Sequence, residues 1–180
     1  MRTLILLGWL AAWPTVAVAC PFCEAIGQTM AEEIATSEIA VLAKLVRVDR
    51  PQQPAEAPGQ LGFLPDEAQG IFQVQEVLKA GTGDVAANST IKTPYAGSEP
   101  VGTLFLLKGY HSPELYWATP QPLPGEAPAY LKQVMTLPLE GPDRLRFFFK
   151  YLQHAEPTLD KDAYDEFAKA PYTSLPPLAV

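Results

Sequence analysis

The sequence predicts an α+β protein in which five short antiparallel strands form a small barrel or sandwich and a helical hairpin follows. Three observations support this prediction. Short apolar segments separated by Gly- and Pro-rich turns fill the first two thirds of the chain, no long amphipathic helix separates them, and extended helical periodicity begins only after residue 120. With 180 residues, 48% of them hydrophobic, the chain can bury one sizeable core.

The N-terminus has the features of an export signal. An early cation precedes an apolar run over residues 4–18, and the segment closes on the small residues that signal peptidases accept. We therefore predict a signal peptide over 1–19, cleaved between Ala19 and Cys20, and an exported protein that is periplasmic or secreted. The apolar run is short for a membrane anchor and is interrupted by Pro14, and no later segment is long and apolar enough to span a bilayer.

The two cysteines, Cys20 and Cys23, open the predicted mature chain. They can form a disulfide with each other, because the sequence contains no further cysteine. A Cys-x-x-Cys motif containing a proline also fits a thiol redox centre, but here only the signal precedes it, whereas thioredoxin-like folds place a strand there. A lipid anchor on Cys20 is a further alternative, although Ala17 stands where lipoprotein signals usually carry Leu.

Charge and motifs argue against several functions. The 13 Lys and Arg against 20 Asp and Glu give a net charge of −7, which disfavours binding to nucleic acid or to anionic membranes. The sequence contains no Gly-x-Ser-x-Gly, no His-Glu-x-x-His and no Walker-type glycine loop. Its two histidines, His111 and His154, lie far apart in unrelated contexts. We therefore expect neither enzyme activity nor a metal or cofactor.

The elements of the predicted barrel follow one another between residues 30 and 119. The capping-box pattern Thr29-x-x-Glu32 begins a short helix over 30–35. The Pro-rich residues 51–65 are an exposed loop after the first strand. From β-rich and partly alternating segments we predict strands over 38–48, 70–79, 89–94, 101–109 and 115–119. The fourth is almost continuously apolar and is expected near the centre of the sheet.

Helices are predicted after the Pro-rich residues 120–124. One helix covers 127–137, and two more start at Asp143 and Pro157 and form an αα-hairpin. The residues expected to be buried are Leu145, Phe148, Phe149 and Leu152 on the first helix of the hairpin, and Leu159, Ala163, Tyr164 and Phe167 on the second. The acidic run Asp160, Asp162, Asp165 and Glu166 is interpreted as a solvated helix face.

The predicted domain organisation has five parts. These are the signal peptide over 1–19, the β-barrel over 20–119, a Pro-rich linker with a short helix over 120–141, the helical hairpin over 142–170 and a tail over 171–180. Whether the hairpin packs on the barrel or begins a helical repeat is left open, since a repeat needs several copies.

Several segments resemble the netrin-like module shared with the tissue inhibitors of metalloproteinases. Ser-Glu-x-x-Val-x-Ala-Lys-x-Val over 37–46 is similar to that family's first strand, Val-x-Lys-x-Gly over 77–81 to the end of its second, and Phe-Leu-x-x-Gly over 105–109 to its strand ending in glycine. The resemblance covers roughly residues 20–119 and implies an OB-like five-stranded barrel. The sequence also resembles uncharacterised exported bacterial proteins with the same cysteine pair and with C-terminal helices like residues 162–168.

The resemblance implies one way for Cys20 to act. In the inhibitors, the amino group and carbonyl of the N-terminal cysteine chelate the zinc of the protease. Here Cys-x-x-Cys replaces the family's Cys-x-Cys, and no distant cysteine exists to make that edge rigid for tight binding.

We expect an exported, non-enzymatic, protein-binding module whose partner is another exported or cell-surface protein. The alternatives are a thiol-disulfide redox protein that uses Cys20 and Cys23, and a metalloprotease inhibitor that acts through Cys20. The expected binding surface contains Cys20, Pro21 and Phe22, together with Tyr110 and His111 from a loop after the central strand.

Overall fold

Four α-helices and six β-strands make up the described part of the protein. In the computed structural model this part comprises residues 26–50, 68–81 and 85–174. The helices are α1 (Met30–Thr36), α2 (Ala127–Val134), α3 (Pro142–Phe149) and α4 (Pro157–Lys169). The strands are β1 (Ile39–Asp49), β2 (Gln69–Lys79), β3 (Thr90–Pro94), β4 (Leu104–His111), β5 (Leu115–Trp117) and β6 (Gln121–Pro122).

The six strands form one antiparallel sheet in the order β3-β2-β1-β4-β5, and β6 also pairs with β4. The five strands predicted from the sequence are confirmed, with ends that differ by at most three residues. Only the two-residue strand β6 was not predicted. The first five residues of β1 are buried, because its two faces contact two different apolar clusters.

One face of the sheet encloses an apolar core of its own. The rings of Phe72, Tyr95 and Phe105 pack edge to face there, with centroids 5.2 to 5.7 Å apart. Ile91 from β3 and Trp117 from β5 both contact this core, so the sheet curves around it. Within the described residues, however, β3 and β5 do not pair. The α+β class is confirmed, whereas the sheet is open and the predicted closure into a barrel is not observed.

The opposite face of the sheet packs against the helices. Side chains along a strand alternate between the two faces of the sheet. On this face, Ala40 and Leu42 of β1 and Leu106 of β4 belong to the same apolar cluster as residues of the helices. The helix residues fully buried in it are Ile34, Ala127, Tyr130, Leu131, Phe148, Leu159 and Ala163. The hairpin of α3 and α4 therefore packs against the other helices and the sheet, which the sequence had left open.

Helix α1 begins with a capping box, and two lysine side chains of the sheet bond to it. The predicted capping box is present: Thr29 Oγ1 accepts the Glu32 N–H at 3.3 Å, and Glu32 Oε2 accepts the Thr29 N–H at 2.9 Å. From the sheet, Lys108 Nζ donates to Glu33 Oε2 at 2.6 Å. Lys79 Nζ donates to the carbonyl oxygen of Ala35 at 2.7 Å, where α1 ends.

Two aromatic residues predicted to be buried in the hairpin are exposed. Phe149 on α3 is 64% exposed and Tyr164 on α4 is 49% exposed. Helix α3 buries Leu145 and Phe148, as predicted, whereas Phe149 lies about 100° further round the helix than Phe148. The sequence placed both Phe148 and Phe149 in one apolar stripe, but only one of them faces the core.

Candidate functional site

A groove lined mainly by apolar atoms lies between α1, α3 and α4. Its volume is about 300 Å³. We call it the helix groove and define it by the apolar residues Ala31, Ala35, Leu139, Leu145, Ala170 and Pro171 and the charged residues Glu32, Glu140, Arg144, Glu166 and Lys169. Gly141, with φ of 109°, precedes α3 and allows the turn that brings Leu139 alongside α4.

The charged residues of the helix groove form two ion pairs. Arg144 and Glu166 join α3 to α4 through two parallel hydrogen bonds, with Nε to Oε2 at 2.8 Å, and their side chains are only 10% and 11% exposed. Arg144 also donates to the carbonyl oxygen of Pro138 at 3.3 Å. Lys169 donates to Glu32 and so joins the end of α4 to α1. The groove is therefore held in shape by bonds between the three helices that line it.

The environment of Glu32 favours its charged form. Burial opposes ionisation, but the hydrogen bonds from Lys169 and from the Thr29 N–H, together with the charges of Lys169 and Arg144, lower the pKa of Glu32 below its usual value. The ion pair between Glu32 and Lys169 therefore persists at neutral pH.

Exposed apolar side chains border the helix groove. Leu139 is 90% exposed at its edge, and Tyr172, which follows the groove residue Pro171, is 82% exposed. Glu140 is also exposed there and takes part in no ion pair within the described residues. The border therefore offers two apolar contacts and one carboxylate to a molecule that enters the groove.

A second, more polar cleft of about 390 Å³ lies where residues 28–30 cross α4, between α1 and β6. Asp162 and Asp165 line it and are only 5% and 3% exposed, which corrects the interpretation of the acidic run as a solvated face. They are buried because the segment before α1 covers them: the Met30 N–H donates to Asp162 Oδ1 at 2.7 Å.

Both carboxylate oxygens of Asp162 accept hydrogen bonds inside the protein. The Tyr130 hydroxyl donates to its other oxygen, Oδ2, at 2.7 Å. Burial is the main reason that the pKa of Asp162 is raised, to about 6. The hydrogen bonds from Met30 and Tyr130 lower the pKa, whereas the charges of Glu166 and Asp165 raise it further. Burial, followed by the charge of Asp162, also raises the pKa of the Tyr130 hydroxyl. Asp162 thus holds α1, α2 and α4 together.

Tyr110 and His111 were predicted to lie in a loop, but both belong to the end of β4. Tyr110 stacks on Tyr116 of β5, with centroids 5.8 Å apart, and the His111 ring bonds to the Glu38 carboxylate. Neither Tyr110 nor His111 lines the helix groove or the polar cleft. The other predicted residues, Cys20, Pro21, Phe22 and Cys23, and the Ala19–Cys20 cleavage site lie outside the described residues.

The helix groove could not be predicted from the sequence. The residues that line it come from α1, the 139–145 segment and α4 with the two residues after it, which are far apart in the chain. The signals in the sequence were local: Gly141-Pro142 marks a turn into a helix, and Arg144 stands on an otherwise apolar helix face. Neither signal predicts that three helices meet.

Among residues 26–50, 68–81 and 85–174, no helix is long and apolar enough to cross a membrane. The same residues contain no group of three or more His, Cys, Asp or Glu side chains placed to hold a metal ion. Compared with known proteins, the chain matches no family model, and no curated protein matches it.

Proposed function

We propose that this is an exported, non-enzymatic module that binds another protein through the helix groove. The observation that carries the proposal is the position of exposed apolar side chains. Leu139, which lines the helix groove, is 90% exposed, and Tyr172, which follows the groove residue Pro171, is 82% exposed. An apolar groove with exposed apolar side chains beside it is typical of an interaction site.

The size of the groove favours a protein partner. A volume of about 300 Å³ is at the lower end for small-molecule pockets, and it suits one or two apolar side chains inserted from a partner surface. Leu139 and Tyr172 would extend the contact beyond the groove itself. The partner is expected to present an apolar anchor with a cation nearby, since the carboxylate of Glu140 at the border is exposed and forms no ion pair with another described residue.

The ion pairs in the groove support binding in a second way. Arg144 and Glu166 are almost fully buried and bonded to each other, so they contribute no unpaired charge that a partner must desolvate. They also hold α3 and α4 in place before a partner arrives, which lowers the entropy cost of binding.

The relation to netrin-like modules is part of this proposal. The strand order β3-β2-β1-β4-β5, with a core enclosed by the curved sheet, supports an OB-like arrangement left open between β3 and β5. Redox chemistry at Cys20 and Cys23 and protease inhibition by Cys20 stay predictions from the sequence, since those residues lie outside the described part.

Site-specific photo-crosslinking in the producing cell tests the proposal. A crosslinking amino acid at position 139 borders the groove, and one at position 101 is the matched control, because Val101 is also highly exposed but precedes β4. We expect a discrete adduct with one protein from position 139 and a much weaker one from position 101. Equal adducts from both positions, or none from position 139, would contradict the proposal.

A further inference from the structure

Helix α1 lines the helix groove on one side and the polar cleft on the other. Ala31, Glu32 and Ala35 line the groove. Met30 and Glu33 line the cleft from the opposite side of the helix. Helix α4 also lines both cavities. A movement of α1 away from α4 would therefore change the groove and the cleft together.

Within the described residues, one hydrogen bond joins α1 to α4 on each of these sides. On the groove side, Lys169 donates to Glu32. On the cleft side, the Met30 N–H donates to Asp162 Oδ1 at 2.7 Å. Asp162 is only 5% exposed, because residues 28–30 cover it. The start of α1 must consequently lift from α4 before water can surround the Asp162 carboxylate.

Asp162 forms no ion pair with any residue that the structure describes. Its partner from α2 is the neutral Tyr130 hydroxyl, which donates to Oδ2 at 2.7 Å. The charged groups around it are paired with one another, as Lys161–Asp165 on α4, Arg144–Glu166 between α3 and α4, and Lys108–Glu33 between β4 and α1. When Asp162 is ionised, its charge is therefore buried without a cation, which is costly.

We propose that ionisation of Asp162 opens the start of α1 and so removes one wall of the helix groove, which weakens partner binding as the pH rises. Lifting α1 lets water hydrate the charge that the closed structure buries. The same movement carries Ala31, Glu32 and Ala35 out of the groove. The effect on binding rests on the proposed function, whereas the opening of α1 does not.

The size of the effect follows from linkage. The pKa of Asp162 is about 6 in the closed protein, and we expect about 4, the ordinary value of an aspartate, once the carboxylate is hydrated. The ratio of open to closed protein should then rise about tenfold between pH 5 and pH 8. The pKa of Glu32 is lowered, so the groove-side bond stays charged over this range. His111 and His154 line neither cavity.

Hydrogen–deuterium exchange of the full chain between pH 5 and pH 8, corrected for the pH dependence of intrinsic exchange, tests the opening. We expect the protection of the α1 amides to fall about tenfold and to stay below that of the β4 amides, because the opening is local. Asp162→Asn removes the charge but keeps an acceptor for the Met30 N–H, so its protection should not fall. Asp160→Asn, the same change on α4 outside both cavities, should leave the fall unchanged.

Photo-crosslinking at position 139 measures the effect on the groove separately. The adduct should weaken from pH 5 to pH 8 in the native chain and persist in Asp162→Asn. The inference is overturned by α1 protection that is independent of pH, that falls equally in Asp162→Asn or that equals the protection of β4, and by an adduct that stays constant while α1 opens. If no adduct forms at any pH, the groove proposal fails and its coupling to Asp162 fails with it, whereas exchange still decides whether Asp162 opens α1.

Discussion

Asp162 shows how one buried carboxylate connects three helices. It lies on α4, accepts the first backbone N–H of α1 from Met30 and accepts the hydroxyl of Tyr130 from α2. Burying the charge is costly, which is why the pKa of Asp162 is raised to about 6. From the sequence alone it was one of four acidic residues on a helix, because no local pattern shows that the segment before α1 crosses α4.

Asp162→Asn should remove the cost of the charge and keep the bonds. The asparagine oxygen can still accept the Met30 N–H, and its NH₂ group can donate to the Tyr130 oxygen. The pKa of Asp162 is raised in the folded state, so the folded protein binds this proton more tightly than the unfolded chain does. The resulting contribution to the free energy of unfolding is complete below about pH 4 and is lost as the pH rises through about 6.

The measurement is the free energy of unfolding in urea between pH 4 and pH 8. Relative to the native chain, Asp162→Asn should gain stability with rising pH, by roughly 2 to 3 kcal/mol in total. Asp162→Leu is the control: it leaves the Met30 N–H and the Tyr130 hydroxyl without their acceptor and should destabilise at every pH. If the difference between Asp162→Asn and the native chain does not change with pH, the carboxylate does not titrate as described.

At the scale of elements, the Arg144–Glu166 pair determines how α3 and α4 are held together. The guanidinium bonds to Glu166 with two nitrogens and also lies over the ring of Phe148, 5.0 Å from its centroid. A buried pair of this kind contributes modestly as a whole, yet breaking it leaves a single buried charge.

Arg144→Met should therefore destabilise the protein by about 3 kcal/mol or more, because Glu166 keeps its charge without a partner. Arg144→Met combined with Glu166→Leu should recover most of that loss, since both charges are then gone and apolar side chains of similar length replace them. A double-mutant cycle of unfolding free energies measures the coupling. Losses that simply add in the double variant would show that the two residues do not act as a pair.

The sequence predicted the elements better than the surfaces between them. Alternating or continuous apolar segments located the five strands of the main sheet, and i, i+3, i+4 spacing located the helices. Periodicity could not decide between neighbouring residues such as Phe148 and Phe149, because either one extends the same stripe. It could not predict an open sheet either, since pairing between β3 and β5 depends on tertiary contacts that leave no local pattern.

At the scale of the whole molecule, the prediction of export can be tested by mass. Cleavage between Ala19 and Cys20 predicts a mature chain that starts at Cys20, and a Cys20–Cys23 disulfide predicts a gain of about 2 mass units on reduction. Intact mass spectrometry of the exported protein with and without reductant measures both the cleavage site and the disulfide. An unprocessed chain would contradict export, and a large extra mass on the N-terminal peptide would indicate a lipid on Cys20.

The described part of the chain combines a sheet with an apolar core on each face and a helical layer that carries the surface proposed for binding. The sheet core of Phe72, Tyr95 and Phe105 is enclosed. On the helical side, by contrast, the helix groove is open to solvent. We infer that the sheet is a support and that recognition belongs to the helices.

The most direct test of this account is to fill the helix groove and measure partner capture. Ala35 is exposed and lines the groove, so Ala35→Trp places an indole where the partner's apolar anchor would lie. Ala87→Trp, at an exposed turn before β3, is the matched control. With the crosslinker at position 139, we predict that Ala35→Trp abolishes the adduct at unchanged melting temperature, while Ala87→Trp retains it. An adduct that survives Ala35→Trp at full yield would contradict recognition through the groove.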